Sequence, residues 1–356
     1  MTAPPASTGA QVLEESLRTL RRVMTTRYPV AQTPKELIWS LNKAKLYRYV
    51  PVVHPENRHP VPLLLVFALI NRSYILDLRP GNSFVEYMVS KGHDVYLLDW
   101  GIPGPEDKAL TFDDYVLDYL PRAIRKLKTV SGSDEFSLLG WCIGAILTTV
   151  YAALRPGDGL RNLILLTAPL DFSDRQCGGL IRWVSDENFD VERVVQSYGI
   201  VPGEVIDYGA KALRPVENYI SNFLRLWDNL DDPKIVDSWH AMNTWVNDVI
   251  PMTGGSFKQL IVDFYRENRL MNGTLTIRGE RVDLGHLCAA LLNVIAENDH
   301  IVPPPESEPT AGVVGSADAT TIRVPGGHIG IMAGSGAVKN TWPKIDDWLA
   351  VRSDSR

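Results

Sequence analysis

The chain has 356 residues, 45% of them hydrophobic and 22% charged, which supplies a large buried core and excludes disordered and fibrous classes. Formal net charge is -6 with no Lys/Arg block, so the electrostatic footprint of a nucleic-acid binder is missing. The start, "MTAPPASTGAQVLEESL", lacks the basic and apolar regions of a signal peptide, and the longest apolar run, "VPLLLVFALI", is too short to cross a bilayer, so no transmembrane segment and a cytoplasmic location are expected.

Residues 1–32 read as a peripheral segment, Pro/Ala/Ser/Thr-rich before a short amphipathic helix. From Pro62, "PLLLVFAL" is a continuous apolar run, the pattern of a parallel strand covered on both faces. A helix follows in "GNSFVEYMVSKG", with Asn82 or Ser83 as N-cap and Gly92 past its end. The alternation continues with strand "DVYLLDW", a helix opened by Thr111 with Asp113 and Asp114 in its first turn, strand "EFSLLG" and helix "GAILTTVYAALRP". Strand and helix repeating in that order imply an α/β fold with a mostly parallel sheet.

After "RNLILLTAPLDF" the rhythm breaks. Residues 173–283 are rich in Trp, Asn and Asp with helical spacing, as expected of a mainly helical cap inserted into a core of 33–172 and 284–356. Strand signals resume with "ALLNVIAEND" and "TTIRVPGGHIG", and "WPKIDDWLAV" is the terminal helix.

The three cysteines, Cys142, Cys177 and Cys288, form no C-x-x-C pair, which argues against a disulfide framework and against a metal site. An isolated cysteine is more often a small buried hydrophobe than a reactive group. Cys142 differs because Gly140-Trp141-Cys142-Ile143-Gly144 has the spacing of a nucleophile elbow and lies between a predicted strand and helix. There the glycines let backbone pass close to a strained central residue, and the N–H of Ile143 points at a developing oxyanion. The elbow in turn requires an acid after a late strand and a histidine after the last one. Asp299 ends "LLNVIAEND" and His328 ends "TIRVPGGH". His300 competes as base, but adjacency to the acid points it elsewhere, toward substrate contact. His54, His59, His93, His240 and His286 have no partner pattern and read as surface or structural. In the loop after the first core strand, "ALINRSYILDL", the N–H groups of Ile70 and Asn71 are the second oxyanion candidates, and Tyr74 is a candidate substrate contact.

Several stretches together resemble the polyhydroxyalkanoate (PHA) synthases, specifically their short class III/IV catalytic subunits. They are "TPKELIWSLNKAKLYRY", "PLLLVFALINRSYILDL", "VYLLDWGIP", "LLGWCIGA", "FKQLIVDFYRENRLMNG", "ENDHIVPP" and "GGHIGIMAGSGA", from about Thr33 to Trp348. The resemblance implies an α/β-hydrolase core that polymerises 3-hydroxyacyl-CoA thioesters, with short acyl chains such as 3-hydroxybutyryl expected. Cys142 is then the nucleophile and His328 and Asp299 its partners, with no cofactor, CoA being the leaving group. One departure is Ala145, where the family usually has a second glycine; a tighter helix start and a narrower site are expected from it. The resemblance further implies association with the growing polyester and its granules, a second unrelated synthase subunit, and a homodimer. Trp227, Trp239, Trp245 and Tyr219 are candidates for a lid that keeps water out, or form the insertion's own core. An acyl-CoA thioesterase with the same triad and a non-catalytic granule-associated protein are the rival readings.

Overall fold

Eight strands build the centre of the molecule, seen in a computed structural model that describes residues 9–185, 189–215 and 217–354. They are β1 (Lys35–Leu41), β2 (Ala44–Tyr49), β3 (Leu63–Val66), β4 (Val95–Asp99), β5 (Phe136–Trp141), β6 (Leu160–Leu166), β7 (Ala290–Ala296) and β8 (Ala319–Val324). Their spatial order is β1-β2-β4-β3-β5-β6-β7-β8. The pairs from β4 onward are parallel, while β2 runs antiparallel to β1 and to β4. Every residue of β3 and β5 is buried, which is why these strands are unbroken apolar runs in the sequence. This is the α/β fold with a mostly parallel sheet expected from the alternation of elements, and the α/β-hydrolase core that the resemblance implies.

The sequence pattern names no element over residues 33–49, where the structure has the β1–β2 hairpin. β1 buries no residue fully, so it has no apolar face for a periodicity to reveal; Asn42 at φ 50° makes its turn.

The expected helices form with their expected ends. In α2 (Phe84–Ser90) the Ser83 hydroxyl caps the Glu86 N–H at 3.0 Å, and Gly92 past the end has φ 94°. The Thr111 start is held by Asp114, whose carboxylate accepts from the Thr111 N–H at 2.8 Å, and runs through a π turn at Tyr115–Tyr119 into α3 (Leu120–Ser131). The helix after β5, α4 (Ile143–Leu154), is buried along its whole length.

Register places the strand ends that matter on one edge. Val66 pairs with Gly140, Trp141 with Leu166, Val294 with Leu166, and Ala296 with Val324. The loops after β3, β5, β7 and β8 therefore emerge side by side at the carboxyl edge, where open α/β sheets hold their ligands.

Between β6 and β7 the chain is mainly helical: α5 (Val191–Tyr198), α6 (Gly203–Ala212), α7 (Asn222–Trp227), α8 (Pro233–Val246) and α9 (Gly254–Gln259). The terminal helix, α10 (Trp342–Ser353), packs against α2 and β6. The amphipathic helix near the start, α1 (Gly9–Thr25), docks on the insertion. Its Leu20 and Val23 join Leu226, Leu230, Val236 and Trp239 in a small second core. His240 fixes the exit of that helix by bonding the Thr26 carbonyl at 2.8 Å, a structural role.

Candidate active site

The turn from β5 into α4 forces Cys142 to φ 57°, ψ -123°, a backbone state that side chains other than glycine rarely adopt. Its geometry is fixed from below, because the Cys142 N–H donates to the Leu166 carbonyl at 3.1 Å. The flanking glycines are sterically required. A Cβ on Gly144 would stand 2.2 Å from the Val66 carbonyl oxygen, and one on Gly140 would stand 2.2 Å from Thr148 Oγ1. Ile143 is the first residue of α4, so its N–H has no acceptor within the helix.

Asp299 and His328 arrive from the neighbouring loops, which are tied together where they leave the sheet. Glu297 N–H donates to the Val324 carbonyl at 3.0 Å, and Asn298 N–H to the Gly326 carbonyl at 2.9 Å. Asp299 Oδ1 accepts from the Ile301 and Val302 N–H groups at 2.8 and 2.9 Å. Its Oδ2 is left for His328 Nδ1, 2.7 Å away. Cys142 and His328 line the same cavity, and the sulfur acts on the charge of the ring. Burial opposes charge on this ring, but the Asp299 carboxylate and then the Cys142 sulfur outweigh it and raise His328 to about 10. A buried thiol, a strongly basic imidazole and a fixed carboxylate are the parts of an activated nucleophile.

The sulfur lies in the wall of a mostly apolar cavity of about 550 Å³. Phe67, Ala68, Ile70 and Asn71 line it, which puts both expected oxyanion-loop residues beside the thiol. Asn71 is also held by a backbone bridge to Val249 of the insertion. Trp245 lines the same cavity and donates its indole N–H to the Arg72 carbonyl at 2.8 Å. The other aromatic candidates lie elsewhere. Trp239 belongs to the second core, Trp227 is exposed, and the Tyr219 side chain lies outside the described residues.

Two expectations are corrected. Tyr74 does not reach the cavity: its hydroxyl donates to Asp248 Oδ2 at 2.8 Å, and burial followed by that carboxylate raises its pKa. Ala145 does not narrow the site, because it is fully buried beneath the elbow and absent from the cavity wall, its N–H donating to the Cys142 carbonyl at 2.9 Å. His300 is half-buried and lines this cavity and a second one.

Sequence reasoning misses Glu306. It is 1% exposed, its Oε2 has no hydrogen-bond partner among the described residues, and Cys177 Sγ lies 4.0 Å from its Oε1. Burial, then the charges of Asp299 and Cys142, pushes its carboxyl up to about 9. The segment "VPPPES" carries no signal of this, since a glutamate after prolines reads as surface. Burial pushes the Cys177 thiol up to about 11, the direction of an unreactive sulfur, and Cys288 is exposed.

Comparison with known proteins agrees with the fold. A model of the alpha/beta hydrolase fold matches residues 76–335, and a model of the poly-beta-hydroxybutyrate polymerase (PhaC) N-terminus matches 17–88. The poly(3-hydroxyalkanoate) polymerase subunit PhaC of Allochromatium vinosum is 38% identical over 320 residues, covering 90% of this chain and 89% of that protein. The subunit of the same description from Haloferax mediterranei is 38% identical over 327 residues, 92% of this chain but 65% of that longer protein. That from Haloarcula marismortui is 35% identical over 353 residues, 98% of this chain and 73% of that protein. Among solved structures, a Paleococcus ferrophilus monoacylglycerol lipase superposes with TM-score 0.56 at 14% identity, over 87% of this chain and 100% of its own, a likeness of fold alone. The chain belongs to the poly(3-hydroxyalkanoate) polymerase (PhaC) family of acyltransferases, built on the α/β-hydrolase fold.

Proposed function

We propose that the chain polymerises short 3-hydroxyacyl-CoA thioesters, such as 3-hydroxybutyryl-CoA, into polyhydroxyalkanoate with release of CoA, through an acyl-Cys142 intermediate. The observation that carries this reading is the pair His328–Asp299, bonded at 2.7 Å, with His328 and Cys142 in the wall of one apolar cavity. His328 takes the Cys142 proton and the sulfur attacks the thioester carbonyl. Backbone N–H groups of Ile143 and the Ile70–Asn71 loop receive the oxyanion. The carbon–sulfur bond to CoA breaks, and the CoA sulfur leaves with the proton held by His328. One thioester has replaced another, so the acyl group keeps its activation. The 3-hydroxyl of a second acyl unit then loses its proton to His328, oriented by Asp299, and attacks the acyl-Cys142 carbonyl; the ester forms as the carbon–sulfur bond to Cys142 breaks, and the Cys142 sulfur takes back the proton from His328. Water is the competing acceptor, and the apolar lining with Trp245 disfavours it.

The reading includes a cytoplasmic enzyme at the polymer granule, a second subunit and a homodimer. In its support, no helix among the described residues is long and apolar enough to cross a membrane. The insertion also exposes Tyr208, Ile220, Leu224 and Trp227, apolar area of the kind that marks an association surface. The test is to incubate the purified chain, alone and with its candidate second subunit, with 3-hydroxybutyryl-CoA and to measure CoA release and insoluble polyester. Polymer lost in Cys142→Ala supports the reading; free 3-hydroxyacid as the sole product moves it to a thioesterase.

A further inference from the structure

A second cavity, of about 640 Å³, opens on the far side of His300 and is lined by Arg182, Arg214, Gly178, Gly179 and Pro303 as well as by the Asp299–His300 corner. His300 is a wall of both cavities, so the two adjoin. Their chemistry differs. In the thiol cavity Lys211 pairs with Asp207 at 2.6 Å, Arg225 bonds the neutral amide of Asn222 at 3.1 Å, and the carboxylates of Asp207 and Glu217 share the wall with these cations. In the second cavity Arg182 makes no ion pair or hydrogen bond with the described residues. Arg214 pairs with Glu217 at 3.1 Å, but both side chains are open to water, a contact that solvent screens and a stronger anion displaces. Among the described residues the one carboxylate in this wall, Asp299, is already committed to His328, Ile301 and Val302. Gly178 and Gly179 add no side chain to fill the space.

We propose that this arginine-lined cavity holds the phosphate groups of the CoA portion of the substrate, Arg182 and Arg214 being the residues that recognise them, while the acyl end passes His300 into the thiol cavity. The inference rests on the thioester reading above and names where its anionic end is bound. A chain of net charge -6 repels a polyphosphate unless cations are gathered locally, and guanidinium groups bind phosphate oxygens in pairs.

The experiment compares wild type with the double variant Arg182→Ala/Arg214→Ala and with Arg182→Lys/Arg214→Lys on two thioesters. One is 3-hydroxybutyryl-CoA and the other is 3-hydroxybutyryl N-acetylcysteamine, which carries no phosphate. With about tenfold per charge-assisted contact, kcat/KM for the CoA thioester falls roughly a hundredfold in the alanine variant, mainly through KM. The lysine variant keeps part of it, and the phosphate-free thioester loses less than about twofold. Equal losses on both thioesters, or none on either, overturn the proposal. Calorimetry with CoA alone reads the same site without turnover: binding weakened in the alanine variant and by salt supports it, and unchanged binding overturns it. If the chain binds CoA through the arginines yet transfers no acyl group, the functional reading fails and this one stands. If it transfers the acyl group with no arginine effect, only this one fails.

Discussion

His328 Nδ1 stands 2.7 Å from Asp299 Oδ2, a contact buried on both sides, and the same ring shares a cavity wall with Cys142. Asp299 is the larger of the two charge effects that raise His328 to about 10. Asp299→Asn therefore lowers the basicity of the ring, which then holds the Cys142 proton less well. Alkylation of Cys142 by iodoacetamide at neutral pH should slow about tenfold for each pH unit that His328 drops, and its pH profile should move to higher pH. An unchanged profile would show that the carboxylate does not set the basicity of the imidazole.

Gly144 lies against the backbone of β3, where an added Cβ would be 2.2 Å from the Val66 carbonyl oxygen. Backbone cannot swing aside as a side chain does. Gly144→Ala should lower stability by about 1–3 kcal/mol and displace the elbow, losing activity as well. Thermal melting with an activity assay reads both effects, and a variant with wild-type melting would mean that β3 and α4 have room to separate.

The Tyr74 hydroxyl and the Arg27 guanidinium both bind Asp248 Oδ2, at 2.8 and 2.6 Å, fastening the loop that carries Ile70 and Asn71 to the insertion. Losing one such hydrogen bond costs about 1 kcal/mol. Tyr74→Phe should thus lower kcat about fivefold with KM little changed, because the loop aims the oxyanion donors. A raised KM with unchanged kcat would instead make Tyr74 a substrate contact.

Glu306 has a folded pKa of about 9 against an ordinary 4.5, so between those values the folded state holds a proton that the unfolded state has released. Stability therefore falls as pH rises through that window, by up to ~1.4 kcal/mol per pH unit. Glu306→Gln removes the titration, and its melting temperature relative to wild type should climb steadily from pH 5 to pH 8. A constant difference across that range would mean that Glu306 ionises in the fold as it does in water.

The elbow, Asp299 and His328 are legible in the sequence because each depends on local chemistry: glycines at fixed offsets, and a carboxylate and an imidazole directly after apolar strand runs. β3 and β5 are legible because burial on both faces demands unbroken apolar sequence. The β1 edge strand has no fully buried residue and so no pattern. Tyr74 and Glu306 are hidden for another reason. Which way a side chain points, and what closes over it, is decided by segments far along the chain: Tyr74 bonds Asp248 across 174 positions, and Cys177 approaches Glu306 across 129.

The central claim is that the acyl group is carried on Cys142, and rapid acid quenching of the enzyme during turnover of 3-hydroxybutyryl-CoA, followed by mass spectrometry of its peptides, tests it most directly. The account expects a hydroxybutyryl thioester on the peptide containing Cys142 in the wild type and none in Cys142→Ala. CoA release continuing in Cys142→Ala, or an acyl group on Cys177, Cys288 or no residue at all while CoA is released, would contradict it.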